Sequence, residues 1–68
     1  MIRIQVNGEP AWCPEGLDLR ETLLHLGYQP AVVVVELNGL IVPSSHWPGR
    51  PVVESDALEV VTIVGGGA

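Results

Sequence analysis

The sequence predicts an α+β domain in which a mixed sheet of four to five strands carries one short helix across one face. Two features of the chain support this prediction. A single segment with helical spacing of apolar residues lies between two Asn-Gly pairs, which are the strongest short signal for a β-hairpin. The last segment, residues 57–64, is rich in apolar and β-branched residues, as a buried strand is. One helix packed on one sheet gives a domain of two layers.

The chain opens with a predicted β-hairpin. Residues 1–6 alternate between apolar and polar side chains, which is typical of a half-buried strand. Asn7-Gly8 forms the turn, because both residue types tolerate a positive φ. Residues 9–13 return as the second strand, and the prolines within and after it restrict that strand to the edge of the sheet.

A short amphipathic helix of about two turns is predicted to begin after Asp18. Asp18 and Glu21 have the spacing of a capping box, in which each side chain accepts a hydrogen bond from the backbone of the other. The apolar stripe of the helix consists of Leu19, Leu23 and Leu26, widened by Leu24. Gly27 is expected to end the helix in the left-handed conformation that glycine adopts without strain.

A second hairpin follows the helix. Residues 31–37 are nearly all β-branched, which suggests a strand covered on much of both faces. Asn38-Gly39 turns the chain into a short partner strand at residues 40–42. The irregular segment 44–51 is rich in Pro and Gly, and Trp47 is expected to anchor it to the core.

The last strand, residues 57–64, is expected at the centre of the sheet because it is the most apolar. If it lies beside the first strand, the two run parallel, and the arrangement is the β-grasp, or ubiquitin-like, fold. The domain then comprises residues 1–64, and residues 65–68 form a flexible glycine-rich tail. A core strand that runs into such a tail presents the C-terminal carboxylate to a partner, although most glycine-rich ends are only frayed termini.

Composition restricts the classes of function. A chain of 68 residues can build one core, with little room for an enclosed active site. It carries eight acidic residues, three arginines and no lysine, for a net charge of −5. This charge argues against nucleic acid or an anionic membrane as a partner and favours a basic protein surface, unless acidity serves solubility alone. We expect a cytoplasmic protein, since one cysteine forms no internal disulfide and no apolar run has the length of a signal peptide or membrane span.

Other reactive residue types have ordinary structural explanations. Cys13 is expected to fill core space rather than to act as a nucleophile, because no lysine and no adjacent histidine would lower its pKa. His25 and His46 do not form a metal-ligand spacing with it, so no metal site is expected. No combination of nucleophile, base and oxyanion donors indicates a free-standing enzyme. The apolar residues of the last strand that face away from the helix are the better candidates for a docking surface.

Several motifs together resemble the ThiS-type sulfur carriers of thiamin biosynthesis, and the resemblance covers the whole chain. The matching residues are Met1-Ile2-x-Ile4 with Asn7, Gly16 before the helix, Leu23-Leu24, Asn38-Gly39, Ile41-Val42-Pro43 with Trp47, and the diglycine Gly66-Gly67. The resemblance implies the β-grasp fold and a protein that serves as a substrate of other enzymes.

In that family an E1-like enzyme, ThiF, uses ATP to adenylate the C-terminal glycine carboxylate, and a persulfide sulfur derived from cysteine displaces AMP. The thiocarboxylate then delivers its sulfur to thiazole synthase, ThiG. The resemblance therefore implies that Gly67 carries the sulfur, that Gly66 adds no side chain to obstruct entry of the tail into a partner's channel, and that Gly65 supports the tail. It implies no bound cofactor, and a sulfurtransferase or cysteine desulfurase as a further partner.

Ala68 departs from the family pattern, because the family's reactive form ends in glycine. We expect Ala68 to be removed first or to be foreign to the natural chain. Use of Ala68 itself is a third alternative, but its Cβ would crowd a channel built for glycine. Two other functions stay open: the small subunit of molybdopterin synthase, whose family also ends in diglycine but is usually longer, and a β-grasp binding module with an inert tail.

Overall fold

A computed structural model describes residues 1–63 of the chain. They form a five-stranded mixed sheet with one α-helix, and the strands lie in the order β2-β1-β5-β3-β4. The elements are β1 (Ile2–Val6), β2 (Glu9–Cys13), α1 (Leu19–His25), β3 (Val33–Leu37), β4 (Leu40–Ile41) and β5 (Ala57–Thr62), with 3₁₀ turns at Pro30–Val32 and Ser44–His46. The predicted fold class is confirmed. Within these 63 residues no helix is long and apolar enough to cross a membrane.

The last strand lies at the centre of the sheet, as its apolar sequence predicts. It runs parallel to β1, with Gln5 opposite Ala57 and Val6 opposite Leu58. On its other side it runs antiparallel to β3 over five residue pairs, from Val33↔Thr62 to Leu37↔Leu58. Each neighbour of β5 belongs to one of the two hairpins, β1–β2 and β3–β4. This is the β-grasp arrangement.

The Asn7 side chain continues the contact between β1 and β5 beyond the end of β1. Asn7 has a φ of 53° and begins the turn to β2, so the backbone of β1 leaves β5 at this point. Asn7 Oδ1 accepts a hydrogen bond from the Val60 N–H at 2.7 Å, and Asn7 Nδ2 donates to the Val60 carbonyl at 3.2 Å. The amide thus satisfies the two backbone groups that a further strand residue would satisfy. Asn38 in the other Asn-Gly turn likewise accepts from the Ala57 N–H, at 2.9 Å.

The core lies between the sheet and the helix. Its buried apolar residues are Ile2, Ile4, Cys13, Leu19, Leu23, Val33, Val35, Leu37, Val42, Trp47, Val52, Leu58 and Val60. Trp47 is 2% exposed, and its Nε1–H donates to the Val42 carbonyl at 2.8 Å, so it anchors the segment after β4 as predicted. Burial raises the pKa of the Cys13 thiol, which matches a residue that fills core space.

The helix begins and ends at the predicted residues. Asp18 Oδ1 accepts from the Glu21 N–H at 2.8 Å and Glu21 Oε1 accepts from the Asp18 N–H at 2.9 Å, which completes the capping box. Gly27 has a φ of 92° directly after the helix. The Tyr28 N–H donates to the Leu23 carbonyl at 2.9 Å, and this bond closes a Schellman motif.

The prediction that Leu24 widens the apolar stripe of the helix is wrong. The Leu24 side chain is 50% exposed, and Thr22 is buried instead. Thr22 lies three residues after Leu19 and four before Leu26, so it occupies the middle of the stripe. Its hydroxyl donates to the Asp18 carbonyl at 2.8 Å, which makes burial of this polar group tolerable.

The prediction that the valine-rich segment is covered on both faces is also wrong. Its first residues form a 3₁₀ turn, and β3 begins at Val33. Val33 and Val35 are buried, whereas Val34 is 38% exposed on the opposite face. β3 therefore alternates between buried and exposed positions, although its sequence does not alternate, because valine occupies both kinds of position.

We expect Asn7→Asp to lower the free energy of unfolding by about 1–3 kcal/mol. Aspartate still accepts from the Val60 N–H, but its second oxygen would face the Val60 carbonyl with no proton to donate. Urea unfolding followed by tryptophan fluorescence measures the change. Asn7→Gly retains the positive φ but removes both side-chain hydrogen bonds, and wild-type stability in that variant would contradict the assigned role.

The stability of the fold should depend on pH through the ionisation of the Asp18 carboxyl group. Hydrogen bonds from the Gly49 N–H, at 3.0 Å, and from the Glu21 N–H lower the pKa of this carboxyl group. Because the folded state has the lower pKa, the ionised group stabilises the fold fully above its ordinary pKa of about 3.9. This contribution is lost as the pH falls through the folded pKa.

Asp18→Asn should therefore lose stability less steeply than the wild type between about pH 5 and about pH 2. The measurement is the urea midpoint as a function of pH, with Glu15→Gln, a substitution in the exposed loop before the helix, as the control. Equal slopes for wild type and Asp18→Asn would refute the assignment.

Candidate functional site

The candidate site consists of the end of β5 and the sheet face beside it. The residues to which the sequence assigns the chemistry, Gly65, Gly66 and Gly67, lie outside the described residues, as does Ala68. Val64, the predicted last residue of the final strand, lies outside them too. The structure describes the strand that leads to these residues and the surface next to it.

β5 is hydrogen-bonded to its neighbours almost to the end of the described residues. Pairing with β3 extends to Thr62, and the Ile63 N–H continues it by donating to the Val32 carbonyl at 2.6 Å. On the β1 side, the last contact is that of Asn7 with Val60. Since an extended chain spans at most about 3.5 Å per residue, the α-carbon of Gly67 lies within about 14 Å of that of Ile63.

The open face, which we define as the face of the sheet away from α1, is apolar beside the end of β5. Val34 and Val61 are opposite each other on this face, and Val61 is 62% exposed. Ile41 is also exposed there, as the cross-strand partner of an open-face residue of β3. We call these three residues the apolar patch. It lies where the sequence predicted exposed apolar side chains, and its use in docking stays a prediction.

Two carboxylates occupy the centre of the open face. Glu36 of β3 and Glu59 of β5 are direct cross-strand partners, so their side chains project from the same face. In the part of the chain that the structure describes, the carboxylates with hydrogen bonds belong to Asp18, Glu21, Glu54 and Asp56, and not to this pair. The apolar patch therefore borders two adjacent negative charges.

Trp12 is a candidate interface residue that the sequence reasoning missed. It is 59% exposed and lies opposite Arg3 across the β1–β2 hairpin, on the open face. The signal was available in the sequence: if Cys13 fills core space, alternation along the strand places Trp12 on the other face. Trp12 thus extends the exposed apolar surface of the open face toward the β2 edge.

The other reactive residue types stay apart. Cys13 is fully buried on β2, whereas His25 at the end of α1 and His46 in the second 3₁₀ turn are exposed. Among residues 1–63 there is no group of three or more His, Cys, Asp or Glu side chains that could hold a metal ion. The described residues therefore offer the exposed apolar patch, and not a cluster of reactive side chains, next to the C-terminal segment.

Comparison with known proteins identifies close relatives. A family model described as the ThiS family matches residues 4–67. An uncharacterized protein, ycf40, from Pyropia yezoensis is 41% identical over 66 residues, which cover 97% of this chain and 93% of that protein. A thiazole synthase from Magnetococcus marinus is 36% identical over 66 residues, but those residues are only 20% of that protein.

Solved structures show the same fold. The crystal structure of the thiamine biosynthesis protein ThiS from Geobacter metallireducens superimposes with a TM-score of 0.82 at 33% identity, covering 97% of this chain and all of that chain. A solution structure of a thiamine biosynthesis protein from the same organism gives a TM-score of 0.76 at 31% identity, covering 98% of this chain and 90% of that one.

Because Val60 and Val61 lie on opposite faces of β5, the same substitution should change the free energy of unfolding at Val60 and leave it nearly unchanged at Val61. Val60→Thr places a hydroxyl in the core and should lower the free energy of unfolding by about 1–3 kcal/mol. Val61→Thr, with the same change in shape and chemistry, should stay within about 0.5 kcal/mol of the wild type. Chemical unfolding of the two variants is the measurement, and equal losses would show that the faces are wrongly assigned.

Proposed function

The chain belongs to the ThiS family, and on this premise we propose that it is a sulfur carrier that donates sulfur for the thiazole moiety of thiamin. Its reactive group is the carboxylate of Gly67, made terminal by removal of Ala68. That carboxylate is adenylated and then converted to a thiocarboxylate. The protein acts as a co-substrate of its partner enzymes and not as an enzyme itself.

The chemistry requires activation, because a resting carboxylate has no group that a sulfur nucleophile can expel. Transfer of AMP from ATP to the Gly67 carboxylate releases pyrophosphate and creates an acyl adenylate. The terminal sulfur of a persulfide then attacks the carbonyl carbon, expels AMP and forms an acyl disulfide. A second thiol then attacks the donor's sulfur in this S–S bond, forms a disulfide with the donor, and expels the thiocarboxylate. The chain supplies the carboxylate, and Gly65 and Gly66 add no side chain that would hinder its entry into a channel.

The observation that carries the proposal is the central position of β5. This strand is paired on both sides up to Val60 and on the β3 side as far as Ile63. Its end lies beside the apolar patch. A reactive group within about 14 Å of a surface that can dock has its position restricted before any chemistry takes place, which raises its effective concentration at the partner's active site.

Three kinds of partner follow from this chemistry. An E1-like adenylyltransferase of the ThiF type consumes ATP, a sulfurtransferase or cysteine desulfurase supplies the persulfide, and a thiazole synthase of the ThiG type accepts the sulfur. The third partner is supported by the Magnetococcus marinus protein named thiazole synthase, one fifth of which is similar to this chain. Joining a carrier to the enzyme that uses it would raise the effective concentration of one for the other.

Deletion of residues 66–68 tests the proposal. The shortened protein should unfold at the same urea concentration as the wild type, because the deletion lies beyond the strand that builds the core. It should form no thiocarboxylate when incubated with ATP, the adenylyltransferase and a persulfide donor. Intact-mass measurement detects the exchange of one oxygen for sulfur.

Deletion of Ala68 alone is the matched control, and this variant should be converted without prior processing. Rescue of a thiamin-requiring strain provides the second measurement, with a strain deficient in molybdenum cofactor as its counterpart. Rescue of the thiamin-requiring strain by the chain that lacks residues 66–68 would contradict the proposal and favour a binding module with an inert tail.

A further inference from the structure

The register of β3 and β5 places two like charges, Glu36 and Glu59, directly opposite each other within the isolated domain. Directly opposite residues of an antiparallel pair have their Cβ atoms about 5 Å apart, and like charges in these positions destabilise a sheet. Both residues lie on central strands, so a shift of register cannot separate them without moving the core valines. A chain that retains this repulsion has two negative charges available for a cation from outside.

The cations of this chain lie elsewhere. Arg20 is on α1. Arg50 lies in a loop beside the helix, because its backbone carbonyl accepts a hydrogen bond from the Leu19 N–H. Both arginines therefore belong to the helix layer. Arg3 is on the open face, but it lies on β1, where its cross-strand partner is Trp12 of β2. The pairing of β1 with β5 begins only at Gln5, two residues later. Within residues 1–63 the arginines therefore do not neutralise the centre of the open face.

Apolar side chains flank the carboxylate pair. Val34 and Val61 are the next open-face residues along the same two strands, and Ile41 is the cross-strand partner of Glu36. All three are exposed. A protein surface that covers them also removes water from the two carboxylates, and uncompensated burial of two like charges is costly.

We propose that the open face docks onto a protein surface that presents one arginine between Glu36 and Glu59, flanked by apolar side chains that cover the apolar patch. Arginine fits this position better than lysine. Its planar guanidinium offers five N–H donors, can bind two carboxylates at once, and is more weakly hydrated than an ammonium group. The pair thus selects against surfaces without such a cation, since they would bury the repulsion uncompensated.

The occupant is the enzyme that adenylates the tail, and the inference rests on the proposed function in this respect. Any enzyme that reacts at Gly67 must bring its active site within about 14 Å of Ile63. Val61 of the apolar patch lies two residues before Ile63 in the chain, so the open face is within reach of such an enzyme. The net charge of −5 favours approach to a basic surface of this kind.

The test uses Glu36→Gln/Glu59→Gln, which removes the charges and keeps the shapes. The variant should unfold at an equal or higher urea concentration than the wild type, and a double-mutant cycle should give a repulsive coupling between the two residues. Its affinity for the adenylyltransferase of the same organism should fall at least about tenfold, with a weaker dependence on salt. In the pyrophosphate-exchange reaction KM should rise while kcat stays unchanged, because docking is lost and the chemistry is not.

Glu9→Gln/Glu15→Gln is the control, since it changes the net charge equally at two exposed residues away from the open face. Its affinity should stay within about threefold of the wild type. An equal loss in the control would mean that net charge alone matters, and would overturn the inference. So would unchanged affinity in Glu36→Gln/Glu59→Gln while the wild type binds and is adenylated. A wild type that is never adenylated would instead refute the proposed function, and the inference with it.

Discussion

The two hydrogen bonds between the Asn7 amide and the backbone of Val60 allow one strand of the sheet to end while its neighbour continues. A parallel pair in so small a domain is short, and β1 must turn at Asn7 to form its hairpin. Without the amide, the N–H and carbonyl of Val60 would lose their partners beside the core. Because the Asn7 amide replaces the backbone groups of a further β1 residue, β5 is hydrogen-bonded on both sides as far as Val60.

The single helix explains why one face of the sheet exposes apolar side chains. A chain of 68 residues has material for one core, and α1 covers one face of a five-stranded sheet. The other face meets solvent, and there Val61, Ile41 and Trp12 expose large apolar surfaces. The fold thus combines a central strand that leads to the C-terminal residues with an uncovered face beside that strand. The proposed function uses both features.

The open face also shows how recognition and stability can oppose each other. Placing Glu36 opposite Glu59 weakens the sheet, and a stabilised version of the same domain would have a cation at one of these positions. The cost stays small while water surrounds both carboxylates, and grows when an apolar surface covers them. A partner with a matching guanidinium removes the cost at the moment of docking. An acidic chain without lysine leaves this cation to the partner.

The sequence by itself determined the features that depend on neighbouring residues. The Asn-Gly turns, the capping box of Asp18 and Glu21, the glycine after the helix and the diglycine near the end of the chain can be read from short patterns, because turn and cap geometry is local. Together with the apolar last segment, they were enough to predict the β-grasp order and the central strand.

Only the tertiary structure decided which side chains of the valine-rich strand β3 face the core and which face solvent. Four valines in a row contain no alternation, so the exposure of Val34 could not be predicted from them. The adjacency of Glu36 and Glu59 depends on the register between strands more than 20 residues apart in the sequence. Shifting that register by one residue would move every side chain of the strand to the opposite face. Long-range packing of the valines and leucines against α1 selects the register, and the open face follows from it.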